Sequence, residues 1–121
     1  MNPRSFVQAR VDGDILVIMP LRNIGSVEHE ATQAEWQDVL SQLQTAAVRH
    51  AVLDFGTIAY FGSAILEYIV MLSRAVRAKQ GQLAICNLSE LGRDILATTR
   101  FDRLGIIVPT RAEALQAVQS S

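Results

Sequence analysis

Five apolar residues in succession, Ile15-Leu16-Val17-Ile18-Met19, limit the possible folds more than any other stretch of the chain. A strand that lacks polar alternation is covered on both faces and is central in its sheet. Pro20 stops the run, and the Asp12-Gly13 pair before it is a good hairpin turn. On the other side of that turn Phe6 to Val11 alternates apolar and polar residues, as a half-buried strand does. The start of the chain therefore reads as a hairpin whose second strand lies inside a layered structure.

The remaining residues supply the layers. Leu21 to Glu30, with Gly25 and no firm period, reads as a loop that grades into a helix, on which Trp36, Val39, Leu40, Leu43 and Ala47 form one apolar stripe. Ala51 to Phe55 is the next strand, joined to its predecessor by a right-handed crossover. A second helix places Ile65, Ile69, Leu72 and Val76 on one face, flanked by Leu66 and Tyr68, with Glu67, Arg74 and Ala78 opposite. Val70 and Met71 fall outward; they read as core beneath the terminal helix, with a partner surface as the alternative. Gly81 ends this helix and leads to the strand Leu83 to Cys86.

Ser89 is placed to cap a short helix through Thr98 that sets Leu91, Ile95 and Leu96 on the sheet. Ile106 to Val108 is the last strand, and Thr110-Arg111-Ala112-Glu113 is a capping-box pattern opening a helix that presents Leu115 and Val118 to the core. The order predicts an α/β fold with a single mixed sheet of about five strands and about four helices packed on it. With 121 residues and half of them hydrophobic, the chain is expected to be a single domain spanning 1-121.

Within that frame the stretch from Leu53 to Leu66 stands out. An apolar strand ends in Asp54, a turn carries Gly56 and Gly62, and Ser63 stands one step before a long apolar helix. A helix start leaves four N–H groups without intrahelical partners and favours negative charge, so a hydroxyl there is either a plain cap or a place for an anion. Gly62 reads as a residue allowing a positive φ, or as a point of close approach for a partner. Asp54 is either a partner contact beyond the strand end or a cap for the turn through Gly56 or Thr57.

The run from Asp54 to Leu66, with Val-Leu-Asp before it and Gly-Gln-Leu-Ala-Ile-Cys after the helix, resembles a STAS domain of the anti-sigma factor antagonist (anti-anti-sigma factor) family. That family reads Asp-Ser-Ser/Thr-Gly at this helix start, and its first Ser is the one a partner kinase phosphorylates. Ser63 matches that position, while Gly62, Ala64 and Ile65 stand where the Asp, the second hydroxyl residue and the Gly are expected. The family also carries an acidic residue in the loop after the second strand, where Leu21-Arg22-Asn23-Ile24-Gly25-Ser26 offers none.

The resemblance implies a STAS-like regulatory module for protein–protein interaction in transcription control and signal transduction. Its partner would be an anti-sigma factor or related serine kinase. Ser63 would be the phosphorylated residue, and Asp54, Tyr60, Phe61, Gly62, Ser63, Ala64 and Glu67 would form the partner-binding surface. The alternatives are a non-phosphorylated STAS scaffold or transporter accessory subunit, and a small ligand-binding α/β domain or enzyme using the strand ends near Asp54.

Several classes find no support. A net charge of -1 gives no electrostatic argument for nucleic acid or an anionic membrane. Ala64 to Leu72, the longest apolar-rich stretch, is interrupted by Glu67 and is far short of the roughly 20 residues of a membrane span. Met1 to Arg10 contains no long apolar core, and Cys86 is the only cysteine, so a cytoplasmic location is expected. His29-Glu30 begins like a zinc-binding helix, but Gln33 occupies the place of the second histidine.

His50, adjacent to a strand start, reads as a surface or edge residue, and Cys86 as a small buried hydrophobe. Gly56 and Gly62 lack phosphate-loop spacing, with Ile58, Tyr60 and Phe61 between them. Arg74, Arg77 and Lys79 read as a solvated face. The expectation is a non-enzyme with no metal and no cofactor.

Overall fold

The structure, a computed structural model, describes residues 5–23 and 29–119, without the side chains of residues 29–31. Ile24 to Ser26 of the loop considered above, and the side chains of His29 and Glu30, lie outside the described residues. The strands are β1 (Val7–Asp12), β2 (Ile15–Pro20), β3 (His50–Asp54), β4 (Leu83–Cys86) and β5 (Ile106–Val108). The helices are α1 (His29–Leu43), α2 (Ser63–Arg77), α3 (Glu90–Thr99) and α4 (Arg111–Gln119), with a short 3-10 turn at Phe101–Arg103. One five-stranded sheet runs β1-β2-β3-β4-β5, with β1 antiparallel to β2 and every other pair parallel.

The hairpin register sets Asp12 opposite Ile15, and Gly13 takes the left-handed conformation, φ 64°, that the tight turn requires. Pro20 is the last residue of β2, opposite Val7; the next hydrogen bond runs from Leu21 N to Phe6 O at 2.8 Å. Ile15, Leu16, Val17 and Ile18 are all buried, as the unbroken apolar run demands.

Alternate residues of the strands feed two cores. Leu16, Ile18, Leu53 and Ile85 face the layer formed by α1, α2 and α3. Ile15, Val17, Val52, Ala84 and Cys86 face Ala114 and Val118 of α4 on the other side. Trp36 and Tyr68 join α1 to α2 by stacking, with ring centroids 4.4 Å apart and planes 6° from parallel.

Several local expectations are corrected. Helix α1 ends at Leu43, so Ala47, expected on its apolar stripe, lies beyond the helix and is exposed, while Val48 is buried there. Because α4 packs on β3, β4 and β5 from the opposite side of the sheet, it does not cover Met71, which is 43% exposed. Leu91 is exposed, while Leu96 carries the burial of α3. Ala114 and Val118 are the buried residues of α4, and Leu115 packs at the margin.

His50 is buried, not superficial: its Nδ1 accepts from Gln82 N at 3.0 Å across the β3–β4 entrance. Lys79 is not a solvated cation, because its Nζ donates to Leu43 O at 2.7 Å, Thr45 O at 2.6 Å and Val48 O. It thereby ties the carbonyl of the last residue of α1 to two carbonyls of the segment that follows. The turn that follows α2 passes through Gln80 in the left-handed conformation, with Gly81 N donating to Val76 O at 2.7 Å. Gly81 has a different necessity, since a Cβ there would lie 1.8 Å from Arg49 O.

Candidate functional site

The carboxyl ends of β3 and β4 and the start of α2 bring the candidate residues together. Phe55, just past β3, donates its N–H to Cys86 O at 3.0 Å, which carries the pairing one step beyond the strand. The chain then turns outward and returns at Phe61, whose ring stacks on Phe55 with centroids 4.6 Å apart. Gly92 of α3 lies against that ring; an added Cβ would be 3.3 Å from Phe61 Cε1.

Three polar side chains, Ser89, Asn23 and Asp54, fix the turn. Ser89 accepts from Gly92 N at 2.9 Å, as expected of a cap, and its hydroxyl also donates to Ala59 O at 2.6 Å. Asn23, in the loop after β2, accepts from Gly62 N at 3.0 Å. Asp54 Oδ1 accepts from Gly56 N at 2.8 Å and Asn87 Nδ2 at 3.0 Å, while Oδ2 accepts from Arg111 Nε at 2.8 Å.

Asp54 is 3% exposed. Burial pushes its carboxyl up, but the hydrogen bonds from Asn87, Gly56 and Arg111, with the Arg111 charge, outweigh that and hold it below the ordinary value of 3.8. Of its two sequence readings, the cap of the turn at Gly56 is the one seen in the structure. Cys86 is fully buried, and burial, with the Asp54 carboxylate as a second cause, pushes its thiol up to about 12. Such a thiol is neutral and unreactive at ordinary pH.

Ser63 is the first residue of α2 and not its cap. Gly62 holds the cap position, with φ -111° and ψ -160°, and its carbonyl accepts the first helical bond from Leu66 N at 3.2 Å. The Ser63 side chain is therefore released from capping and is exposed. Nor does Gly62 adopt a positive φ; a Cβ there would have Tyr60 Oη, 4.0 Å away, as its nearest neighbour.

Tyr60, Ser63 and Glu67 are exposed and Gly62 and Ala64 are half-buried, so all five can be reached from outside. Glu67 stands one turn beyond Ser63 on the same side of the helix. Phe61, at 1% exposure, and Asp54, bonded to Arg111 of α4, are buried instead. Their place is to hold the loop.

Asn23, Asn87 and Arg111 were not singled out from the sequence. Asn87 carries a usable signal, since an asparagine straight after a strand suits the left-handed conformation it adopts, φ 58°. Arg111 was legible only as a member of the capping box, which forms through Glu113 N and Thr110 Oγ1 at 3.2 Å. Asn23 carries no such signal, because its contact joins residues 39 apart in the chain.

No group of three or more His, Cys, Asp or Glu among the described residues is arranged to hold a metal ion. No described helix is long and apolar enough to cross a membrane.

The STAS domain family model matches residues 7–114. BtrV of Bordetella bronchiseptica, a candidate anti-sigma factor antagonist, is 24% identical over 112 residues, covering 93% of this chain and 92% of its own length. Among solved structures, an anti-sigma-factor antagonist (STAS) domain protein from Planctomyces limnophilus superposes with a TM-score of 0.79 at 24% identity, covering 93% of this chain and 97% of that one. The Bacillus cell fate determinant SpoIIAA in its phosphorylated form gives a TM-score of 0.63 at 19% identity, covering 93% and 98%. At these identities the solved structures share the fold.

Proposed function

The chain belongs to the STAS domain family, and on that premise we propose that it is a non-catalytic regulatory module, an anti-sigma factor antagonist that docks an anti-sigma factor of the serine-kinase type. The observation that carries this reading is the placement of Ser63: exposed, first in α2, and free of any capping duty. Glu67 is exposed one turn on, on the same side of the helix, and Tyr60 is exposed in the loop before it. Tyr60, Gly62, Ala64 and Glu67 form the contact, while Asp54, Phe61 and Asn23 keep the loop in shape.

The switch is electrostatic. A phosphate on Ser63 adds about -1.5 to -2 charges. The domain accommodates it, because the first N–H groups of α2 and the helix dipole favour an anion. That SpoIIAA, a protein of the same fold, exists in a phosphorylated form supports this. A partner seated over Ser63 meets a buried charge that it has no means to solvate, and Glu67 adds a like charge four residues on. Release follows from the interface, with the domain still folded.

The test combines a purified kinase-type anti-sigma factor, ATP and three forms of the chain. Phosphate should appear on Ser63, Ser63→Ala should dock without being modified, and Ser63→Glu should dock at least about tenfold more weakly, a cost of about 1.4 kcal/mol. Absence of phosphate together with undiminished docking by Ser63→Glu refutes the reading.

The empty position at Gly62 favours a second reading, a non-phosphorylated scaffold or transporter accessory that holds its partner through the same surface. Intact mass of the protein from its native cells, before and after phosphatase, separates the two. A single unmodified species under every growth condition selects the scaffold.

A further inference from the structure

The far end of α2 borders a groove of about 250 Å3 lined also by the 3-10 turn and the start of β5. It lies at the amino ends of β4 and β5, on the opposite rim of the sheet from Ser63. Helix α2 has 15 residues, so the two ends are separated by about 22 Å of helix.

Three observations meet in this groove. Ser73 lines it and is 2% exposed, yet its hydroxyl makes no hydrogen bond to any described residue. Among the described residues only Trp36 Nε1 is a fully buried side-chain polar atom without a partner, so the Ser73 oxygen keeps a small opening to the groove, where a ligand can serve it. Arg77 and Arg103 flank the groove, are exposed, and belong to no ion pair among the described residues. Between them lies an apolar wall of Leu83, Leu104 and Ile106, of which Ile106 is 37% exposed.

Two cations, one unserved donor and a short apolar wall are complementary to one chemical class. We propose that this groove binds a small organic oxyanion, a carboxylate or phosphate monoester with a short apolar tail. The guanidinium groups of Arg77 and Arg103 take the anionic oxygens, since planar forks suit carboxylate and phosphate alike. The Ser73 hydroxyl donates a third hydrogen bond, and the tail lies on Leu83, Leu104 and Ile106. Neither Ser63 nor the loop around it takes part, so the site is independent of partner docking.

The experiment is an amide NMR titration of the full chain with butyl phosphate and, separately, butyrate, at ionic strength held constant with sodium chloride. Saturable shifts are expected at Ser73, Gly81 and Gly105, and the tighter of the two ligands identifies the headgroup. The double variant Arg77→Gln, Arg103→Gln should weaken binding at least about tenfold, Ser73→Ala should weaken it by a smaller factor, and Ser63→Ala should leave it unchanged. Shifts that rise linearly without saturating, or that saturate only at the N-termini of α2 or α4, overturn the proposal. So does unchanged affinity in the double variant.

Discussion

Arg111 Nε donates to Asp54 Oδ2 across 2.8 Å, joining the first residue of the last helix to the end of a central strand 57 residues earlier. Asp54 is buried and Arg111 is about one-third exposed at its side chain, so the pair is sheltered on one side and open on the other. Its worth falls between that of a surface pair and that of a buried one.

Asp54 makes stability depend on acid. Its carboxyl titrates below 3.8 in the folded chain. Its contribution is therefore complete above the unfolded value and is lost as pH falls through the lower, folded one. Asp54→Asn should cost about 2 kcal/mol near neutrality. Urea unfolding midpoints of the two proteins should converge as pH is taken from 7 to below 4; a gap that stays constant would contradict the assignment.

Cys86 should be silent. With its thiol pushed up to about 12, a disulfide reagent at mildly alkaline pH should label the protein only after denaturant is added. The unfolded thiol ionises near its ordinary value of 9.0 and the folded one does not, so stability should decline as pH rises between the two values. Prompt labelling of the native chain would show that the strand is open there.

Gly81 should tolerate nothing larger. A Cβ 1.8 Å from Arg49 O forces backbone to move at the entrance to β3. Gly81→Ala should cost about 3 kcal/mol or more, or fail to fold. Gly62→Ala, with its nearest neighbour 4.0 Å away, is the control and should shift the melting temperature little.

Gly62→Asp should stabilise. The cap position of α2 has no side-chain hydrogen bond, and a carboxylate there would accept an N–H and face the positive end of the helix. The expected gain is about 0.5 kcal/mol, read as a raised denaturation midpoint that salt partly reverses.

Lys79→Met should remove charge-assisted bonds to the carbonyls of Leu43, Thr45 and Val48 while keeping much of the aliphatic stem. A loss of about 1 to 2 kcal/mol is expected. Amides of the segment after α1 should also exchange faster, which a loss confined to global stability would not produce.

The layers were legible because their signals are local and periodic. The unbroken run Ile15 to Met19, the spacing of Ile65, Ile69, Leu72 and Val76, and the capping patterns at Ser89 and Thr110 all reappear in the structure. The side of the sheet on which α4 packs was not legible, so the environment of Met71 was misread. His50 and Lys79 were misread for a related reason: their partners, Gln82 and the carbonyls after α1, are brought near by the fold and not by the sequence. At the candidate site, Ser63 was found by its position before an apolar helix, but its offset from the cap was not. A one-residue difference in where a helix begins is below what residue types alone resolve.

The five strands are laid down in chain order from one border of the sheet to the other. In open α/β sheets, crevices that swallow small molecules form where the winding reverses and neighbouring connections part company. The winding of the described strands does not reverse, so no such cleft is expected above β3 and β4 among the described residues, and the rim that carries Tyr60 and Ser63 offers a contour instead. On the function proposed above, such a rim would recognise large bodies pressed against it, and its choice among them could be rewritten one outward side chain at a time.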